Sequence, residues 1–207
     1  MPRALSKATR SIGEDHLASM VLSADGLPAE MSDFQTSKDS YLDNATMAEH
    51  GFPGSTTGEV DATGRITGYI REYATPSSVE DVVPGDNLMA ATVVHLFQEE
   101  DQVSLWIANQ FLGEFQRAVR KDLGRGQQIV KAEPASVKGF SDEAVALCTV
   151  QSAAAGLVAS TIVDFRIGRL LGVAYVVTMG EDQSLDLAQT LGLRLEERMI
   201  RVVLGAA

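Results

Sequence analysis

The stretch Val158–Met179 (VASTIVDFRIGRLLGVAYVVTM) constrains the fold more than any other part of the chain. Ala159, Thr161, Val163, Phe165 and Ile167 alternate with Val158, Ser160, Ile162, Asp164 and Arg166, the period of two that a β-strand imposes. After Gly168-Arg169 the alternation resumes with Leu171, Val173, Tyr175, Val177 and Met179. Glycine at the first position of a two-residue loop suits a type II′ turn, whose twist matches antiparallel strands. The stretch therefore predicts a β-hairpin at the centre of a sheet on which the remainder packs.

Other segments supply the rest of that sheet and its cover. Residues 1–14 are small and polar without apolar periodicity and read as a disordered or loosely attached arm, leaving 15–207 as a single domain. Glu14–Leu22 reads as a short helix, Phe34–Tyr41 as an edge strand, and Asn44 as the cap of a short helix ending at His50-Gly51. Gly51–Gly64, with four glycines and a proline, reads as loop. Strands follow at Arg65–Ala74 and, beyond a Thr75–Asp86 loop, at Asn87–Gln98, whose apolar residues lie on both faces and predict cover on both sides. Val103, Trp106, Ile107, Phe111, Phe115, Ala118 and Val119 make a stripe spaced three and four apart, which predicts a long helix over Glu99–Leu123 with Gly124 behind its end. Gln127–Ala132 and Ser141–Gln151 read as strands, and Ala153–Gly156 as a small-residue turn. Asp182–Val203 is the second long helix, with a stripe of Leu185, Ala188, Leu191, Leu195, Met199 and Val202. Short turns between strands, and helices after groups of strands, predict an α+β fold: a mainly antiparallel sheet of six or seven strands covered by two long helices.

Composition narrows the function. With 207 residues, 45% apolar and 22% charged, the chain can bury a core without staples, and its single cysteine, Cys148, allows no internal disulfide. A net charge of −11 argues against nucleic acid and anionic membrane surfaces, both of which need a basic footprint. No stretch approaches the ~18 apolar residues of a membrane span. MPRALSKATRSIGED has no apolar core of a secretory signal, which fits either a cytoplasmic protein or the mature part of an exported one.

No catalytic constellation stands out. His16, His50 and His95 lie in separate elements without a local second ligand, so no metal or other cofactor is implied. Cys148 sits mid-strand between Leu147 and Thr149, where burial raises a thiol's pKa rather than activating it. Gly51–Glu59 has the glycines of a phosphate loop but Glu59 where a lysine belongs. Asn44-Ala45-Thr46 matches a glycosylation sequon, yet the helix-cap role is the simpler one. Carboxylates at Glu99–Asp101 and Glu196–Glu197 are explained by helix positions. The polar set with most scope for binding is Tyr69, Arg71 and Tyr73 on one strand face, together with Trp106. Amphipathic rings beside a guanidinium suit a polar or anionic ligand; they also pack well on a covered sheet surface.

Five stretches of the chain carry a resemblance. FSDEAVALCTV, then TIVDFRIGRLLGVAYVV, then EDQSLDLAQTLGLRLEERM, preceded by DSYLDN and GRITGYIREY, resemble the Mog1/PsbP-like α/β/α sandwich that includes actinobacterial LpqN-type lipoproteins. The likeness runs from about Asp33 to Val203. Its motifs are strand starts, turns and caps, so it transfers no catalytic residue, and the chain lacks the signal and lipobox cysteine of such lipoproteins. It implies a non-enzymatic bacterial module outside the cytoplasm (periplasm or cell envelope) that binds a small-molecule or lipidic ligand or a protein partner. The alternative is a structural or assembly protein associating through a sheet face or edge, and an enzyme with a nonstandard site is a third reading.

Overall fold

The computed structural model describes residues 2–76, 82–123, 127–153 and 156–205. Gly124, part of the 75–86 loop and part of the 153–156 turn lie outside them. Among the described residues, seven strands form one antiparallel sheet: β1 Gln35–Leu42, β2 Arg65–Ala74, β3 Asn87–Phe97, β4 Gln128–Ala135, β5 Ala144–Ala153, β6 Gly156–Ile167 and β7 Leu170–Met179. Their order is β1-β2-β3-β7-β6-β5-β4, so β7 is the middle strand and the expected hairpin does lie at the centre. Gly168 has φ +53° while Arg169 keeps a negative φ, as a type II′ turn requires. Gly172 faces Phe165 across the hairpin, and a Cβ there would stand 2.2 Å from the Phe165 ring. The glycine leaves room for the fully buried Phe165 ring beside β7.

One sheet face is covered by α7, Leu185–Val203. Its Ala188, Leu191, Leu195 and Met199 join Tyr73, Val94, Val163, Phe165, Ala174 and Val176 in the main core. Each buried leucine contributes about 2 kcal/mol through apolar area removed from water. Glu196, although on the buried side, accepts hydrogen bonds at 2.8 Å from both the backbone N–H and the hydroxyl of Ser141.

The N-terminus departs from the expected loose arm. Helix α1 (Pro2–Ala8) and helix α2 (Leu17–Met20) bring Leu5, Ile12, Leu17 and Met20 into the same core. Arg169, at the hairpin turn, is the tie. Its Nε donates to Thr9 O (3.0 Å), Nη1 to Phe97 O (3.1 Å) and Nη2 to Ile12 O (2.6 Å), and its backbone N–H donates to the Thr9 hydroxyl. Polarity along residues 1–14 hides two apolar anchors and the carbonyls that Arg169 engages.

The opposite face carries helix α3 (Asn44–Glu49), helix α4 (Thr57–Ala62), helix α5 (Glu100–Leu105), a π-helix (Trp106–Gly113) and helix α6 (Glu114–Ala118). Two expectations are corrected here. The Gly51–Gly64 loop contains α4, started by a capping box in which the Thr56 hydroxyl accepts from Glu59 N–H and the Glu59 carboxylate accepts from Thr56 N–H. The long helix expected over Glu99–Leu123 is instead α5, the π-helix and α6 in succession, so among the described residues only α7 is a long regular helix. The π-helix has one more residue per hydrogen-bonded ring than an α-helix, which a three-and-four spacing does not reveal. The segment stops at Ala118 because Val119 turns extended and Arg120 adopts φ +65°, laying residues 119–123 beside β4 through Val119–Ile129 and Asp122–Gln128 bridges.

Candidate functional site: a cleft over a buried arginine–histidine pair

On the helix-rich face, β2 begins immediately after α4, and its first residue, Arg65, turns into the interior at 2% exposure. Arg65 Nε donates to His95 Nδ1 on β3 (3.0 Å) and Nη2 to Leu42 O (2.6 Å), while Nη1 bonds Asn44 Oδ1. Asn44 Nδ2 in turn donates to Asp61 Oδ1 (2.6 Å) and Arg65 O (3.0 Å). Helix α3 is capped by Asp43, which accepts from Thr46 N–H, so Asn44 is free to join α4 to β2 rather than serving as the cap. Desolvation lowers the Arg65 pKa to about 10. Burial, and secondarily the Arg65 charge, hold His95 well below its usual value. His95 is therefore neutral, and because its Nδ1 accepts from a guanidinium, the proton sits on Nε2. Gly68 makes room for the pair: a Cβ there would lie 2.6 Å from Arg65 Nη2 and 2.7 Å from His95 Nδ1.

Above this pair sits Trp106, the first residue of the π-helix, with its ring centroid 6.1 Å from that of His95 and 5.6 Å from that of Phe97. Trp106 borders a cleft of ≈ 540 Å³ between α4 and the α5/π-helix segment, lined by Glu59, Thr63, Asp101, Leu105, Asn109 and Gln110 among others. Gly64 allows the two walls to meet at the floor, since a Cβ there would stand 2.2 Å from the Gln102 side chain. Carboxylates, carboxamides, a hydroxyl and the exposed Leu105 line the cleft, and among the described residues no basic side chain does. Nearby, Glu114 is raised above the usual carboxylate range by burial, with Arg117 opposing and Glu59 adding to the shift. Such a surface disfavours anions and offers hydrogen bonds to a neutral or cationic polar molecule.

The four residues singled out from sequence do not meet. Tyr69, Arg71 and Tyr73 share the α7 side of β2, whereas Trp106 lies on the other face. Arg71 Nη1 donates to Leu22 O (2.8 Å) and Nη2 to Asp39 Oδ2 (3.0 Å). Tyr73, fully buried, donates its hydroxyl to the same Leu22 carbonyl, and its pKa is pushed up to about 12 by burial. Tyr69 packs edge-on against Tyr41 at 4.9 Å. Arg71 and Tyr73 thus fasten the segment after α2 to the sheet. What sequence reasoning did not join is Asn44–Asp61–Arg65–His95, spread over 52 positions; the visible signal was an arginine opening an apolar strand and a histidine inside another.

Elsewhere, a cleft of ≈ 320 Å³ borders Arg194, Arg198 and Arg201 on α7. These guanidinium groups hold Gly26 O and Leu27 O, Ser19 O, and Glu197 respectively, a fastening role. Cys148 is half-buried, and burial pushes its thiol up. Among the described residues, no three His, Cys, Asp or Glu side chains gather into a metal-sized group.

No protein-family profile matches the sequence, and no curated protein matches it significantly. The fold, however, has a solved counterpart in the extracellular domain of PknH from Mycobacterium tuberculosis. The two superpose with a TM-score of 0.60 over 91% of this chain and 96% of that one, at 14% sequence identity. At that identity the likeness is one of fold: this chain is similar in architecture to an extracellular bacterial domain.

Proposed function

We propose that the chain is an extracytoplasmic, non-enzymatic domain of a bacterial envelope protein that holds a small polar ligand in the cleft between α4 and the π-helix. The observation that carries this reading is the near end-to-end superposition on the extracellular domain of PknH. The cleft adds the ligand class. Its carboxamide- and carboxylate-rich lining suits a neutral or cationic polar molecule better than an acyl chain or an anion. The buried Arg65–His95 pair serves as a rigid floor, because a guanidinium engaged by three acceptors holds its neighbours in one geometry.

Location is tested by fusing the chain, with its native upstream sequence, to a reporter active only outside the cytoplasm; absence of reporter activity at normal expression would reject the extracytoplasmic part. Binding is tested with a panel of saccharides, polyols and amines, read by thermal shift and by Trp106 emission. Asn109→Ala and Gln110→Ala should each weaken any ligand found by roughly three- to tenfold, the worth of one hydrogen bond. Unchanged affinity in both variants would move the site elsewhere.

A further inference from the structure

Asp164, three residues before the end of β6, is 2% exposed, and its Oδ1 has no hydrogen-bond partner. Such groups are rare, because burying a carboxyl without donors costs several kcal/mol. Its cross-strand neighbours are Val145 and Val173, both packed against the apolar cluster that includes Val103, Trp106 and Ile107. The carboxyl therefore lies in the apolar layer between the sheet and the α5/π-helix segment. The sheet on either side is hydrogen-bonded along its length, whereas the segment above is short α-helices interrupted by a π-helix. Water can reach Asp164 most easily by displacing that segment.

We propose that Glu100–Ala118 is a proton-controlled lid: it stays seated while the Asp164 carboxyl is protonated and lifts from the sheet when the carboxyl ionises. Among the described residues, no cation is hydrogen-bonded or ion-paired to Asp164. Arg166, two positions along the same face, bonds Asp142, and its Nε, buried and without a hydrogen-bond partner, lies 3.7 Å from Glu143. Glu143, just before β5, accepts from Ser104 of α5. Tyr175 on β7 donates to Glu72 on β2, His95 on β3 is held neutral by burial and secondarily by Arg65, and Glu100 of α5 bonds Ser6 while Asp101 lines the outer cleft. Burial alone accordingly raises the Asp164 pKa well above the ordinary carboxylate value. A raised folded-state value means the closed form binds the proton more tightly than the open form. Closure is thus strongest at low pH and weakens as pH climbs from the ordinary carboxylate value to the folded one.

Trp106, the one tryptophan of the chain, stands on the lid and reports on it. The test follows Trp106 emission, and amide exchange of residues 100–118 corrected for intrinsic rates, from pH 5 to 9.5 in the wild type and in Asp164→Asn. The wild type should show a red shift with rising pH and an opening constant growing by up to about tenfold per pH unit. Asp164→Asn should stay seated throughout, and Asp164→Leu is the second variant if the amide fails to fold. Glu143→Gln should keep the wild-type profile. A wild type without a pH-dependent change in this window, or an identical change in the Asp164 variants, would overturn the proposal.

Discussion

At the scale of single residues, two glycines and one arginine do work that their neighbours cannot. Gly172 leaves room for the Phe165 ring and Gly68 for the Arg65–His95 contact. In both cases an added Cβ meets buried atoms closer than any real contact. Gly172→Ala should therefore destabilise the protein by about 1–3 kcal/mol through overpacking, measured as a lower denaturation midpoint with an unchanged slope. A result within a few tenths of wild type would mean that Phe165 can swing aside. Arg169→Ala removes three side-chain hydrogen bonds to the carbonyls of Thr9, Ile12 and Phe97. The expected loss is about 2–3 kcal/mol, together with proteolytic sensitivity of the first dozen residues. Strong residual protection there would show that Leu5 and Ile12 suffice to hold the segment.

Among the elements, α4 and the π-helix matter most, since they form the walls of the cleft. A six-residue helix has little stability of its own, so α4 depends on its capping box and on contact with β2. Thr56→Ala should cost about 1 kcal/mol and increase amide exchange over Thr57–Ala62 without altering α7. In native exchange, amides of Trp106–Gly113 should open more readily than those of Leu185–Val203, because π-helical hydrogen bonds are individually poorer and the segment rests on one side only. Equal protection of the two would contradict both the looseness of this segment and its role as a lid.

For the whole molecule, the two sheet edges decide whether it associates. β1 is largely exposed, carries Lys38 and Asp39, and is shifted by a bulge between Thr36 and Lys38. β4 is bordered at its start by residues 119–123 and carries Pro134 further along. Charge, bulge, cover and proline are the devices that keep edges from pairing with another sheet. Sedimentation at rising concentration should therefore show a monomer, and Lys38→Ile with Asp39→Val should produce self-association. Dimerisation of the wild type would revive the assembly reading of the sequence.

Sequence alone determined the sheet. Val158–Met179 and the β2 and β3 segments carry side-chain alternation or two-faced apolarity, local patterns that a strand imposes wherever it lies, so their boundaries and the central hairpin were legible. The helix α7 was equally plain, because its apolar stripe is regular over 19 residues. Only the tertiary structure decided which residues share a site. Tyr69, Arg71 and Tyr73 looked like a binding face because their alternation is visible, but whether a face meets solvent or the Leu22 carbonyl depends on where the N-terminal segment lands. Asn44, Asp61, Arg65 and His95 come together through pairings between distant strands and helices. The neutral His95 and the unpartnered Asp164 owe their states to burial, which is a property of the packed layers and not of neighbouring letters in the chain.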